Sequence, residues 1–265
     1  MTRSGRRPQR GRSRVHVYKL GGPALEDPAL VAPLAEELRR EGAHVVLLHG
    51  GGRHIERLLR ALGIEARFVD GRRETSPAAM EVVEMVLSGA VNKSLAAELT
   101  RAGVPAVGIS GRDGALLSAE RVAGLGRVGT RVRARPEPVL ALWGAGFVPV
   151  VSPVSTGPEG ESLNVNADEA ALGLATALCA RRLVYLSDVD GVRVGDGLAE
   201  ALAADAAERL VADGTIAGGM ALKVRTALAA CRAGVLEVVI AGRSRLEGAF
   251  PGTRLTAGAA DEARA

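Results

Sequence analysis

Of the 34 basic residues in this 265-residue chain, only Lys19, Lys93 and Lys223 are lysine; the rest are arginine. An ammonium on a flexible stem follows a moving phosphoryl group better than a planar guanidinium does, so a lysine kept in so arginine-rich a chain points to chemistry. Lys19 stands beside Gly21 and Gly22, and Lys223 follows the turn Gly218-Gly219-Met220. Lys93 lies inside a long helical pattern and reads as a solvated surface residue. Asparagine is equally scarce, with Asn92, Asn164 and Asn166 alone. Two of these fall in Leu163-Asn164-Val165-Asn166-Ala167-Asp168, which opens a helical pattern. A helix start needs one capping side chain, and this stretch offers three. The surplus amide can bind a carboxylate or amide ligand, and Asp168 can orient the two ammonium groups.

Glycine gathers where apolar runs end: Lys19-Leu20-Gly21-Gly22, His49-Gly50-Gly51-Gly52, Ser110-Gly111-Arg112-Asp113-Gly114 and Ser187-Asp188-Val189-Asp190-Gly191. Without a Cβ, backbone N–H groups approach and cradle anionic oxygens. A helix start just beyond adds a favourable dipole. Four such loops suit a ligand carrying several phosphates. Other motifs drop out. Residues 124–129 spell G-x-G-x-x-G, but they follow no buried strand and lack the acid about 20 residues on that a dinucleotide site needs. No Gly-Lys dipeptide occurs, so a Walker A loop is absent. No G-x-S-x-G elbow occurs. His49 and His54 have no clustered partner that would make them metal ligands.

Residues so far apart in sequence meet only if repeated elements align them. Apolar runs at 15–20, 45–48, 106–109, 148–151, 183–186 and 238–240 read as strands. Between them, helical patterns cover 28–40, 55–62, 77–101, 138–143, 167–180 and 220–233. Asp27 is placed to cap the first helix, with Pro28 at its first position. In the long helix Met80, Val83, Leu87, Val91 and Leu95 share one face. Strands alternating with helices make an α/β protein with a mostly parallel sheet covered on both faces. Residues 64–69 and 121–135 read as hairpin insertions. Ligands of such sheets bind beyond the carboxyl ends of the strands, where the glycine loops lie.

Composition narrows the remaining classes. Apolar residues at 47% and charged residues at 24% suit a globular domain and exclude collagen, coiled coil and wholesale disorder. Aromatics at 2% leave no stacking platform for single-stranded nucleic acid. Residues 1–14 carry six arginines and no acid, a basic, disordered tail. The remainder holds 28 basic and 30 acidic side chains, so the body is not a nucleic-acid binder by charge. Cys179 and Cys231 read as inert core thiols in a reducing cytoplasm. The N-terminus lacks an apolar signal region. The uncharged span 139–158 is broken by glycine and proline, so no membrane partner is expected.

The motifs stand in a fixed order: Lys19-Leu20-Gly21-Gly22, His49-Gly50-Gly51-Gly52, Asp70-Gly71-Arg72-Arg73-Glu74-Thr75, the helix from Glu81 to Lys93, Asn164-Val165-Asn166-Ala167-Asp168, and Gly218-Gly219-Met220-Ala221-Leu222-Lys223-Val224. Together, over residues 15–255, they resemble the amino acid kinase family. The resemblance implies a three-layer αβα sandwich with a mostly parallel open sheet and two lobes. Residues 15–165 would hold an acylated amino acid and a homodimer contact, and residues 166–265 would hold ATP. The implied reaction moves the γ-phosphoryl group of ATP to the side-chain carboxylate of N-acetyl-L-glutamate, making an acyl phosphate in arginine biosynthesis. Mg2+ would be held mainly by ATP phosphates, without a dedicated protein site. A sibling activity, on aminoadipate or glutamate attached to an acidic carrier protein, shares the catalytic set.

By the same resemblance, Lys19 and Lys223 stabilise the transferring phosphoryl group and Asp168 holds both. The Gly51 and Gly52 amides cover substrate oxygens. Arg73 and Asn164 grip the α-carboxylate and acetamido end. Gly21 and Gly22, then Asp188, Val189, Asp190, Gly191, Val192 and Arg193, then Thr215, Ile216 and Ala217, match the nucleotide-binding segments. A carboxylate nucleophile is already ionised at neutral pH, so positioning and charge stabilisation suffice. The chain departs from the family at Glu74, usually apolar, and Arg112, commonly lysine. The short stretch after Gly242 and the N-terminal extension without an apolar helical pattern imply a homodimer insensitive to arginine.

Overall fold

The computed structural model of the protein describes residues 14–27, 29–41, 44–69 and 71–256. The basic tail up to residue 13, Pro28, Asp70 and residues 257–265 lie outside the described residues.

In chain order, β1 (Val15–Leu20) leads through a 3-10 turn (Pro23–Glu26) to α1 (Val31–Glu41), β2 (His44–His49) and α2 (Gly52–Ala61). A small hairpin follows, β3 (Phe68–Val69) and β4 (Arg72–Arg73). One long rod then runs as α3 (Pro77–Glu84), a π-helical segment (Met85–Val91) and α4 (Asn92–Arg101). Next come β5 (Ala106–Ser110), β6 (Leu117–Arg121), β7 (Val128–Ala134), α5 (Glu137–Gly144), β8 (Val148–Ser152), β9 (Ser155–Thr156), β10 (Ser162–Val165) and α6 (Ala167–Ala177). The C-terminal part holds β11 (Arg182–Leu186), β12 (Arg193–Val194), β13 (Gly197–Leu198), β14 (Ala201–Ala203), α7 (Ala204–Ala212), α8 (Gly218–Arg232), β15 (Glu237–Ala241), α9 (Arg243–Leu246) and β16 (Thr253–Thr256).

Eight strands form one sheet in the order β14-β16-β15-β11-β1-β2-β8-β5. Pairing is parallel from β15 to β5, while β16 runs antiparallel to β15. Strand alternation sorts the core into two layers. Val17, Leu48, Tyr185 and Ile240 join the apolar layer built with α6 and α8. Tyr18, Leu47, Leu186 and Ala241 join the opposite layer with α1 and α4. The result is the three-layer α/β sandwich. A third cluster packs α2 against α3 and the π segment.

Several boundaries differ from expectation, each for a local reason. The first helix begins at Val31, because Asp27 ends the 3-10 turn and its Oδ1 accepts the Ala29 N–H at 2.9 Å. Asp27 therefore caps a turn, and its other oxygen takes Arg243 at 2.8 Å. The second helix begins at Gly52, inside the glycine loop, which aims its N-terminus at the strand ends. The insertion at 121–135 begins earlier, at Leu117, and β6, β7, β9 and β10 close into a small barrel. The insertion at 64–69 is the hairpin at 68–73. Lys93 is exposed, yet its Nζ donates to the Gly108 carbonyl at 2.5 Å.

Candidate active site

Lys19 is the fifth residue of β1 and shares the parity of Val17, so it faces the layer of α6 and α8. Asp168 sits in the first turn of α6, and Lys223 one turn and a half into α8. The three side chains meet there. Lys19 Nζ lies 2.7 Å from Asp168 Oδ1, and Lys223 Nζ lies 3.3 Å from Oδ2. All are nearly excluded from water, with side-chain exposures of 8%, 10% and 11% for Lys19, Asp168 and Lys223. Two cations share this one carboxylate, and the Asp188 charge also favours the charged form of Lys223.

Burial opposes ionisation of Asp168, yet the two ammonium groups and their hydrogen bonds outweigh it and hold the carboxyl below its ordinary value. Burial, then the Lys19 charge, pull the Lys223 ammonium below its ordinary value, while Asp168 favours the charged form. Beneath Lys223, the ring of Tyr185 has its centroid 5.6 Å from Nζ.

Three asparagine-region residues divide the work. Asn166 is the helix cap, its Oδ1 accepting the Asp168 N–H at 2.8 Å. Asp168 is thereby free for the lysines. Asn164, on β10, lines the cavity and donates through Nδ2 to Thr75 Oγ1 at 3.1 Å.

The cavity beside this cluster measures about 240 Å³. Lys19, Gly22, Gly51, Gly52, Arg73 and Asp168 are among its walls. Arg73 is 8% exposed and lies 4.5 Å over the Phe68 ring. Its Nη2 donates to the Gly52 carbonyl at 3.4 Å, and its Nη1 has no partner among the described residues. A buried guanidinium with an unused donor edge is a receptor for a carboxylate. Burial lowers its proton affinity, but guanidinium stays charged at any working pH.

Gly51 shapes the loop. Its φ is +156°, and a Cβ there would meet Leu87 Cδ2 of the π segment at 2.7 Å. The neighbouring His49 is fully buried. Its Nδ1 faces the Gly50 carbonyl at 2.8 Å, and its Nε2 faces Asn92 Nδ2 at 3.1 Å. Asn92 also donates to the Val150 carbonyl at 2.8 Å. Burial pushes the imidazole down to about 4, so it is neutral at pH 7, donating through Nδ1 and accepting at Nε2.

Of the nucleotide-matching residues Gly22 lines this first cavity, and the others fall elsewhere. Asp188 and Asp190 line a separate cavity of about 370 Å³ with Ser187, Arg243 and Ser244. Val192 and Ile216 are core residues, which leaves only their backbone for a ligand. Val189 is exposed, as is Arg193 in a short hairpin with Leu198. Thr215 has its N–H on Asp213 Oδ1, and Ala217 is the N-cap of α8. Gly21 packs against the Leu186 carbonyl, one strand from Lys19. The loop at 110–114 lies at the sheet edge, where Arg112 pairs with Glu84 at 2.9 Å. It lines neither cavity. Glu74 faces Arg67 at 3.6 Å. Arg72 and Thr75 escape sequence reasoning as members of the site. Both lie within the motif Asp70–Thr75, in which only Arg73 is assigned a role by the resemblance.

An open parallel sheet with a lysine–aspartate–lysine cluster at its strand ends defines a class of phosphotransferase-like folds, and comparison with known proteins agrees. The family model described as amino acid kinase family matches residues 14–242. The chain belongs to that family. It is 46% identical over 247 residues to the acetylglutamate kinase of Rubrobacter xylanophilus, spanning 90% of this chain and 94% of that one. Among solved structures, smu.665 from Streptococcus mutans superposes with a TM-score of 0.82 at 25% identity, over 92% of this chain and 98% of that one. N-acetylglutamate synthase from Neisseria gonorrhoeae, solved with coenzyme A and N-acetyl-glutamate, gives a TM-score of 0.78 at 27% identity, over 91% of this chain and 59% of that one.

Proposed function

We propose that this protein transfers the γ-phosphoryl group of ATP to the side-chain carboxylate of N-acetyl-L-glutamate, in arginine biosynthesis. The observation that carries the reading is the Lys19–Asp168–Lys223 cluster, whose Lys19 and Asp168 line a cavity that also holds the half-used guanidinium of Arg73. The 46% identity to an acetylglutamate kinase over nearly the whole chain supports the choice of acid.

The γ-carboxylate oxygen attacks the γ-phosphorus of ATP. The bond to the β,γ-bridging oxygen breaks, and ADP leaves with that electron pair. No proton need be removed, because the carboxylate is ionised. Arg73 binds the substrate's α-carboxylate, and Asn164 its acetamido group. Lys19 and Lys223 neutralise charge on the equatorial and leaving oxygens, held at fixed positions by Asp168. Gly51 and Gly52 present backbone to the reacting oxygens. The segments at 188–193 and 215–217, with Gly21 and Gly22, bind the nucleotide. A magnesium ion would be held chiefly by the ATP phosphates and would supply charge neutralisation there.

The protein acts as a homodimer in the cytoplasm. Supporting this, β5 is an outer strand of the sheet, and Met85, Leu140 and Phe147 are exposed apolar side chains. No described helix is long and apolar enough to cross a membrane. The deciding experiment traps acyl phosphate with hydroxylamine, with N-acetyl-L-glutamate, glutamate and aminoadipate compared. A strong preference for the acetylated acid is expected. No product from any free acid would overturn the reading in favour of a carrier-linked substrate.

A further inference from the structure

Two pairs of neighbours in the site point in opposite directions. Arg72 and Arg73 are adjacent on a strand, so their side chains leave from opposite faces. Asp168 and Glu169 are adjacent on a helix, turned about 100° from one another. Arg73 and Asp168 take up the positions described above. Arg72 also borders the cavity, and its guanidinium is turned onto Glu169.

Their contact is a network. Arg72 Nη2 donates to Glu169 Oε1 at 2.6 Å and to Thr130 Oγ1 at 3.3 Å. Its Nη1 donates to the Gly129 carbonyl at 3.3 Å. Thr130 Oγ1 in turn donates to Glu169 Oε2 at 3.0 Å. Both carboxylate oxygens are used, and the pair is largely shielded, at 26% and 17% exposure. A charge-assisted bond in such a setting is stronger than a surface ion pair.

The hairpin that carries Arg73 needs this tether. Among the described residues two ladder pairs, Phe68 with Arg73 and Val69 with Arg72, join its strands, extended by one backbone bond from the Glu74 N–H to the Arg67 carbonyl at 2.9 Å. So short a ribbon has little stability of its own. At its far end Thr75 is tied to Leu125 and Arg127 by backbone bonds. Nearer the tip, the Arg72 network links it to β7 and to the first turn of α6. The helix that carries Asp168 is thus bolted to the strand that carries the carboxylate receptor.

We propose that Arg72 is a positioning residue: clamped by Glu169 and Thr130, it fixes the β3–β4 hairpin on α6 so that Arg73 stands ready over the cavity. This rests on reading the cavity as the acyl-amino-acid site. The clamp sets affinity for the acid and leaves the phosphoryl-transfer cluster untouched.

The test uses Arg72→Met, Glu169→Gln and the double variant of the full-length protein, with steady-state kinetics and calorimetric binding of N-acetyl-L-glutamate without ATP. Each single variant is expected to raise KM and Kd for the acid about tenfold, with kcat and the KM for ATP within about twofold. The double variant should be no worse than the poorer single one, since both break one link. Arg72→Lys should recover part of the loss. Additive losses, unchanged acid affinity, or a fall in kcat in Glu169→Gln would overturn the clamp. A loss in Arg72→Met with none in Glu169→Gln would instead make Arg72 a direct substrate ligand. If the wild-type protein neither binds nor phosphorylates the acid, the functional reading falls first and the clamp with it. That result is distinct from a clamp that fails in an active enzyme.

Discussion

Asp168 is the residue on which most of the site's electrostatics turns, because one carboxylate serves two buried ammonium groups. Asp168→Asn removes the compensating charge and leaves two like charges in a dry setting. Turnover should fall on the order of 10²-fold or more, as it should in Lys19→Ala and Lys223→Ala. Acyl hydroxamate formation measures this, and near-normal kcat in any of the three would remove that residue from the reaction. Arg73→Lys keeps the charge and loses the planar fork, so it should raise KM for the acid more than it lowers kcat. Tyr185 makes a different point. Its hydroxyl is fully buried and has no partner among the described residues, while its ring supports Lys223. Tyr185→Phe keeps the ring and discards the orphan hydroxyl. It should raise stability by about 1 kcal/mol with kcat unchanged, read from urea melts and initial rates. Lower stability would mean that the hydroxyl is bonded. At this scale the sequence is most legible where a residue type is rare: three lysines and three asparagines mark Lys19, Lys223, Asn164 and the helix cap. Arg72, one of many arginines, carries no such mark, and only its distance to Glu169 distinguishes it.

The elements are legible to the extent that local pattern sets them. The six parallel strands follow from apolar runs, and the parity of β1 puts Lys19 on the face of Val17; that α6 and α8 cover this face is seen only in the fold. What pattern does not reveal is local departure from regularity. The π segment at Met85–Val91 lies inside an unbroken apolar periodicity, and its consequence is seen only in space. The segment presents Leu87 against Gly51, whose φ of +156° no side chain adopts comfortably. Gly51→Ala therefore meets both a contact at 2.7 Å and an unfavourable backbone angle. It should cost roughly 1–3 kcal/mol of stability and raise KM for the acid, because the loop must move away from the cavity. Adding Leu87→Ala should relieve the contact but not the backbone strain, so recovery should be partial. Full recovery in the double variant would show that sterics alone demand glycine there. The small barrel is illegible for a related reason: β9 and β10 are too short to announce themselves, and closure depends on pairing across residues 117–165.

For the whole molecule, two buried groups at opposite ends of the strands should shape acid unfolding, in separate windows. His49 at the carboxyl end of β2 has its folded proton affinity depressed to about 4, against 6.5 when unfolded. Between those values the unfolded chain binds the proton and the folded chain does not, so stability falls as pH drops from 6.5 towards 4. The loss is on the order of 3 kcal/mol. Glu41 lies at the other end. Burial opposes its charge, but His16, the Tyr18 hydroxyl and Arg182 together hold it at about 2, against 4.5. Its contribution is present above 4.5 and is lost as pH falls towards 2. Urea unfolding across pH 7 to 3 separates the two. His49→Asn should be less stable at pH 7 yet show a flatter slope between pH 6.5 and 4.5, with the lower window unchanged. Glu41→Gln should flatten only the region below pH 4.5. An unaltered upper slope in His49→Asn would mean that the imidazole takes its proton without unfolding the chain. The His49–Asn92 contact would then have to open locally while the sheet stayed intact.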